Sequence, residues 1–324
     1  MVSGSRLICA AIISGVLLIG CATNSTDTPA PSSAASSVHR TGSWMLPEAA
    51  TDNLMYISDP GSGAIMVYTY PRAGYKFVGV INSPIQPLGE CVDAKQNVWT
   101  TGNIDFQSYV LYQYAHGTTS PSAVLQDPVG TPIACAVDHA NGDLAVASIN
   151  ADGSNLPLAV YKNASGKPNQ FEYQYLYPEF LTYDNKGDLF AVGGHPNDGA
   201  VSLVELPRGG KNLVPIQISQ HFEATGGIAW DGKYLAMADA GAATIYRFQI
   251  SGSAATEVGS VAVPGAQTID QLTIDGNRAL VPSHPSQGAG FLNIYMYPAG
   301  GIRLRTLRNF SQPYAAVISF GPKT

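Results

Sequence analysis

The feature that most restricts the fold of this 324-residue chain is an internal period of about 45 residues. Five segments share an apolar strand, an aspartate, a short turn containing Gly or Asn, and a second apolar strand. Leu88-Gly89-Glu90-Cys91-Val92-Asp93 leads to Asn97-Val98-Trp99, and Ile133 to Asp138 leads to Asp143-Leu144-Ala145-Val146. Glu179 to Asp184 leads to Asp188-Leu189-Phe190-Ala191-Val192, Gly226 to Asp231 leads to Tyr234-Leu235-Ala236-Met237, and Asp270 to Asp275 leads to Ala279-Leu280-Val281. Asp93, Asp138, Asp184, Asp231 and Asp275 are 45, 46, 47 and 44 residues apart. A further 44 lands on Ser319, which ends the apolar run Pro313-Tyr314-Ala315-Ala316-Val317-Ile318 and has no turn after it.

The missing continuation lies at the other end of the repeat region, where Asn53-Leu54-Met55-Tyr56-Ile57 matches a second strand. Third strands recur as well, in Ile65–Pro71, Val110–Tyr114, Leu158–Tyr161, Leu203–Pro207, Ile245–Phe248 and Ile294–Pro298. Short strands in units of this length predict an all-β, six-bladed β-propeller with four-stranded blades. Its last strand completes the blade begun by its first strands, which removes an open sheet edge. With these elements in place, the unit resembles that of the NHL-repeat propellers, which runs Pro-x-Gly, apolar strand, Asp, turn, second strand. The resemblance covers residues 50 to 320 and implies architecture rather than activity, because the fold hosts binding modules, structural proteins and hydrolases.

Ahead of the repeats, Arg6 precedes an apolar run from Leu7 to Gly20 that ends in Leu18-Ile19-Gly20-Cys21. A basic start and a short apolar stretch have the layout of a secretory signal. The last four residues resemble the lipobox of bacterial lipoproteins, which implies acylation of Cys21 and a membrane partner reached through the lipid. Residues 22–37 lack large apolar side chains and read as a tether. The expected organisation is a signal over 1–20, a lipidated N-terminus and linker over 21–50, and a propeller over 51–324. By resemblance to enterobacterial sorting, Ala22 after the cysteine implies the outer membrane. The chain carries a formal charge of −6, and loss of Arg6 with the signal lowers it to −7, which excludes nucleic acid as the expected partner. Arg303, Arg305 and Arg308 cluster, but on an edge strand they read as a solubility device.

In a propeller the loops leading into the innermost strands crowd one face, which is the default ligand site. Five residues before each repeat aspartate the ring reads Leu88, Ile133, Glu179, Gly226 and Asp270, with Tyr314 completing it. Glu179 and Asp270 bring two carboxylates to the channel mouth, and the same two repeats carry the His-Pro loops at His195 and His284. Acid and imidazole at matched positions are candidates for a divalent metal or for split acid and base roles. The gluconolactonase-like propellers are similar in outline and hold one metal with Glu, Asp and two Asn. No Asn occupies the aligned ring here, so that activity does not carry over. The aspartates closing the inner strands read as turn formers, as do Asp59, Asp105, Asp152 and Asp239.

Two functions follow as expectations. The first is a binding scaffold using its loop face and channel toward a protein, glycan or small molecule; the alternative is a metal-assisted, lactonase-like hydrolase. Cys91 and Cys135 lie on neighbouring inner strands at different parity. Their thiols therefore point either toward each other or directly apart, and both a disulfide and two buried free thiols remain open.

Overall fold

The computed structural model divides the chain into two units, residues 1–39 and 40–324, and describes residues 42–104, 109–150, 156–286 and 288–322. The apolar run, Cys21, Asp105 and Asp152 lie outside the described residues. Among the described residues no helix is long and apolar enough to cross a membrane.

The second unit is built of antiparallel meanders, because each repeat supplies strand-forming apolar runs broken by turns that its aspartate stabilises. Asp93 shows the device: its Oδ1 accepts the backbone N–H groups of Lys95 (2.8 Å) and Asn97 (2.9 Å). Asp184 does the same for Lys186 and Asp188. Within each meander the outer strand is the least buried. Second strands such as Leu54–Asp59 and Leu235–Asp239 are buried at every position, since they are covered on both faces, and they read as continuous apolar runs. Outer strands such as Pro121–Gln126 alternate and face solvent.

The inner strands Gln86–Val92, Thr131–Val137, Tyr177–Tyr183, Thr225–Trp230 and Thr273–Asp275 touch one another in chain order. Ala315–Ser319 closes the ring by packing on both Gln86–Val92 and Arg278–Ser283. It also pairs antiparallel with Leu54–Asp59, from Leu54 opposite Ser319 to Ser58 opposite Ala315. The last strand therefore completes the first sheet, and the whole is an all-β propeller of four-stranded blades. In one place two meanders, ending in Val214–Ile218 and Ala254–Ala262, join edge to edge through the parallel pairs Gln217 with Ala254 and Ile218 with Ala255.

Residues 44–50, which composition places in the linker, belong to the fold. Trp44–Met45 adds an edge strand against Phe77–Asn82, and Ala49 is fully buried. The apolar Trp44, Met45 and Leu46 cover a sheet edge that polar linker residues would leave bare. Between the inner strands Gln86–Val92 and Thr131–Val137, Cys91 and Cys135 are joined by a disulfide across a Cα separation of 5.6 Å.

Candidate functional site

The central channel has two ends: an upper face, where the inner strands begin, and a lower face, where they end in the repeat aspartates. Its waist is bridged. Gln271 reaches across to the backbone of Glu90, its Oε1 accepting the N–H at 3.0 Å and its Nε2 donating to the carbonyl oxygen. Beside this bridge Gly89 allows an approach that no other residue permits, since a Cβ there would lie 2.4 Å from the Ile133 carbonyl oxygen and 2.9 Å from Gln271 Oε1.

On the upper face the structure brings Glu179, Asp270, His284 and Tyr314 together. His284 Nε2 lies 3.3 Å from Asp270 Oδ2, and this contact raises the imidazole pKa above its ordinary value despite partial burial. Glu179 is pushed upward chiefly by burial and further by the Asp270 charge, with an opposing backbone hydrogen bond from Gly194. Tyr314 is held well above the phenol range by burial and by both carboxylates. Burial thus shifts Glu179 toward its protonated form relative to a free carboxyl, and the Asp270 contact shifts His284 toward the cation. His195 is placed differently. Its loop closes through His195 N–H to Ala200 O (2.7 Å) and Gly199 N–H to His195 O (2.8 Å). The tight turn keeps the ring over its own loop, 3.0 Å from Asp198 and stacked on Tyr175. Among the described residues no group of three His, Cys, Asp or Glu side chains is arranged to hold a metal ion, so the proposed set of Glu179, Asp270, His195 and His284 does not assemble as one.

The ring position itself has a property hidden from the sequence pattern. In the strands beginning at Gln86, Thr131, Tyr177 and Thr225 the pairing register slips where Leu88, Ile133, Glu179 and Gly226 stand. A β-bulge adds a residue on one strand and re-aims its side chain, so parity fails there.

The loops above are braced by buried residues rather than being free turns. Asp59 accepts the N–H groups of Ser311 (2.9 Å) and Gln312 (2.6 Å), and Asp239 accepts those of Glu223 (2.9 Å) and Ala224 (3.2 Å). Ser283 Oγ does likewise for Gln267 and Thr268. Each residue ends a second strand and holds the segment entering the inner strand of the same sheet. The signal was present in the sequence as a polar residue closing an apolar second strand.

Open space also lies at the end opposite the expected loop face. A cavity of 570 Å³ opens on the lower face. Its wall mixes apolar side chains, including Val137, Leu181, Ile228 and Leu272, with polar ones, including Asp138, Thr182 and Asp184, with the Gln271 bridge at its floor and His139 and Asn185 at its rim. The inner strands place small residues there, Ala136 and Ala229 among them, which leaves the volume open.

No protein-family model matches the sequence, and no curated protein matches it. Solved structures do. The chain is similar to one from a nidogen/laminin complex, with a TM-score of 0.68 at 14% identity over 83% of this chain and 98% of that one. It is also similar to TolB from Acinetobacter baumannii, with a TM-score of 0.56 at 9% identity over 85% of this chain and 68% of that one. At these identities the likeness establishes the β-propeller fold.

Proposed function

We propose that this chain is a lipid-anchored, six-bladed propeller of NHL-like repeats that works as a binding scaffold in the bacterial cell envelope, tethered through Cys21. Its binding seat is the lower-face channel. The observation that carries this reading is the 570 Å³ cavity, whose size is that of a small-molecule or side-chain pocket and whose wall combines apolar side chains with convergent polar ones. The six-blade count follows the sequence period, with the edge-joined meanders counted as two blades. A propeller from a complex with laminin is among the similar structures, which supports a protein partner, and the similar TolB chain supports an envelope setting.

The test is native mass spectrometry and thermal scanning of the purified chain against a metabolite and peptide library, beside Thr273→Trp, which fills the cavity from its wall. The wild type retains or is stabilised by a component that the folded variant does not recognise. If the two respond alike to every component, the channel is not the seat. Anchoring is checked separately with Cys21→Ser, which abolishes palmitate labelling and membrane partition; unchanged labelling removes the lipid from the proposal.

A further inference from the structure

A second crevice opens between the sheet carrying Thr131–Val137 and the one carrying Tyr177–Tyr183, with a volume of 520 Å³. At its inner end stands Asp138, only 3% exposed. Its Oδ1 accepts the Ala140 N–H at 2.9 Å, while Oδ2 is out of reach of solvent and has no hydrogen-bond partner. That oxygen is directed at the neighbouring sheet: a Cβ built on Gly187, which lines the crevice, would stand 2.9 Å from it. The other carboxylate of the crevice, Asp143, is satisfied by the Asn163 N–H and the Asn141 amide. A buried carboxylate oxygen left without a donor marks the place of a missing hydrogen-bond partner.

The rest of the lining narrows what supplies that donor. Lys162, Arg208 and Lys211 converge on the crevice in a chain of net charge −6. Among the described residues neither Lys162 nor Lys211 forms an ion pair, and Arg208 spends one guanidinium nitrogen on the Lys186 carbonyl oxygen. Asn169 and Gln170 add donor and acceptor amides, and Phe171 and Tyr183 add flat apolar faces.

We infer that this crevice binds an acidic saccharide, with a hydroxyl donating inward to Asp138 and a carboxylate held outward by Lys162, Arg208 and Lys211. A hydroxyl supplies the proton that Asp138 lacks, whereas a phosphate at the inner end would meet it anion to anion. The outer cations match a carboxylate, which Arg can grip with two parallel hydrogen bonds. The volume suits a molecule of disaccharide size. The crevice shares Asp138 and Tyr183 with the channel wall, but Lys162, Arg208 and Lys211 line the crevice alone, so the lysine variant tests this site apart from the scaffold reading.

The test is calorimetric titration of the purified chain with digalacturonate, galacturonate and neutral lactose. Digalacturonate binds, and lactose binds at least about tenfold more weakly. The double variant Lys162→Met, Lys211→Met loses about tenfold in digalacturonate affinity without a change in melting temperature. Asp138→Asn weakens binding by removing the inner acceptor; should it fail to fold, the lysine variant decides alone. Absence of heat with digalacturonate at millimolar concentration, equal binding of lactose, or unchanged affinity in the lysine variant overturns the assignment. Binding by galacturonate as tight as by digalacturonate overturns the disaccharide-sized seat.

Discussion

Glu90 and Cys91 are adjacent on one strand yet face opposite seams of the ring, and the two seams are secured in contrary ways. On one side Cys91 is bonded to Cys135 within a dry cluster that includes Trp99, Leu111 and Tyr161. On the other side the Glu90 carboxyl is fully buried with both oxygens lacking a well-aligned hydrogen bond. Burial drives its pKa well above the carboxylate range, against smaller opposing contributions from Ser58 and Thr100. Tyr56 and Tyr114 also face it, and burial, with a lesser contribution from Glu90, lifts both phenols, Tyr114 to about 12. One seam is therefore locked covalently. The other is held by packing around an acid that burial pushes toward its neutral form, and it is the seam next to the ring closure.

The largest test breaks the locked side. Replacing both cysteines, as Cys91→Ala with Cys135→Ala, removes a cross-link spanning 44 residues and costs about 4 kcal/mol in the chain-entropy view. Chemical denaturation measures it under matched conditions. A loss well under about 1 kcal/mol would mean that the cystine seam is held by its apolar cluster and that the contrast with the Glu90 seam is small.

These seams also separate what the sequence reveals from what it hides. The repeat aspartates, the third strands and the pairing of Ala315–Ser319 with Leu54–Asp59 followed from spacing, because period and alternation are properties of the chain read along its length. The direction of Cys91 toward Cys135 did not, since parity fixes a line and not a sense along it. Glu179 and Asp270 were legible as ring neighbours, but the bulges that aim ring residues are invisible in a two-residue alternation. His195 was misplaced because a six-residue loop closes on itself. Glu90 passed unnoticed: one acid in an apolar strand resembles a solvent-facing position until the neighbouring sheet covers it.

A smaller effect, of opposite sign, is expected on the unlocked side. For Glu90 the folded pKa is raised above the ordinary carboxyl value of 4.5, so the folded state binds the proton more tightly than the unfolded chain. Stability is then highest below that value and declines as pH rises toward the folded pKa. Glu90→Gln keeps the shape and removes the ionisation. It should raise stability by about 1–3 kcal/mol at pH 8, with the gain shrinking as pH falls toward 4.5. A pH-independent difference would show that packing, and not the charge, sets the seam.

The smallest effect comes from the lower edge of the same seam, where His116 acts in the reverse sense. Its Nε2 donates to the Asp52 carbonyl oxygen at 3.0 Å, and its Nδ1 lies 2.6 Å from Ser319 Oγ, so one imidazole ties the loop after Tyr109–Tyr114 to both ends of the closed sheet. Burial lowers its pKa below the ordinary imidazole value of 6.5, an effect partly offset by the Asp52 carbonyl. The stability tied to the neutral ring is present above that value and is lost as pH falls through the folded pKa. Acid therefore strains the seam through His116 while base strains it through Glu90. His116→Gln retains a donor and an acceptor but cannot charge. It should cost about 0.5–1.5 kcal/mol at neutral pH through imperfect geometry. Its stability should also decline less than that of the wild type below pH 6.5. Hydrogen exchange at Gly117, whose N–H donates to Tyr56 Oη across this seam at 2.8 Å, reports the opening locally. A lower protection factor of Gly117, its exchange taken relative to the unstructured rate at the same pH, is expected at both pH extremes in the wild type, with the acid limb flattened in His116→Gln and the alkaline limb in Glu90→Gln; equal acid limbs in wild type and His116→Gln would remove His116 from the account.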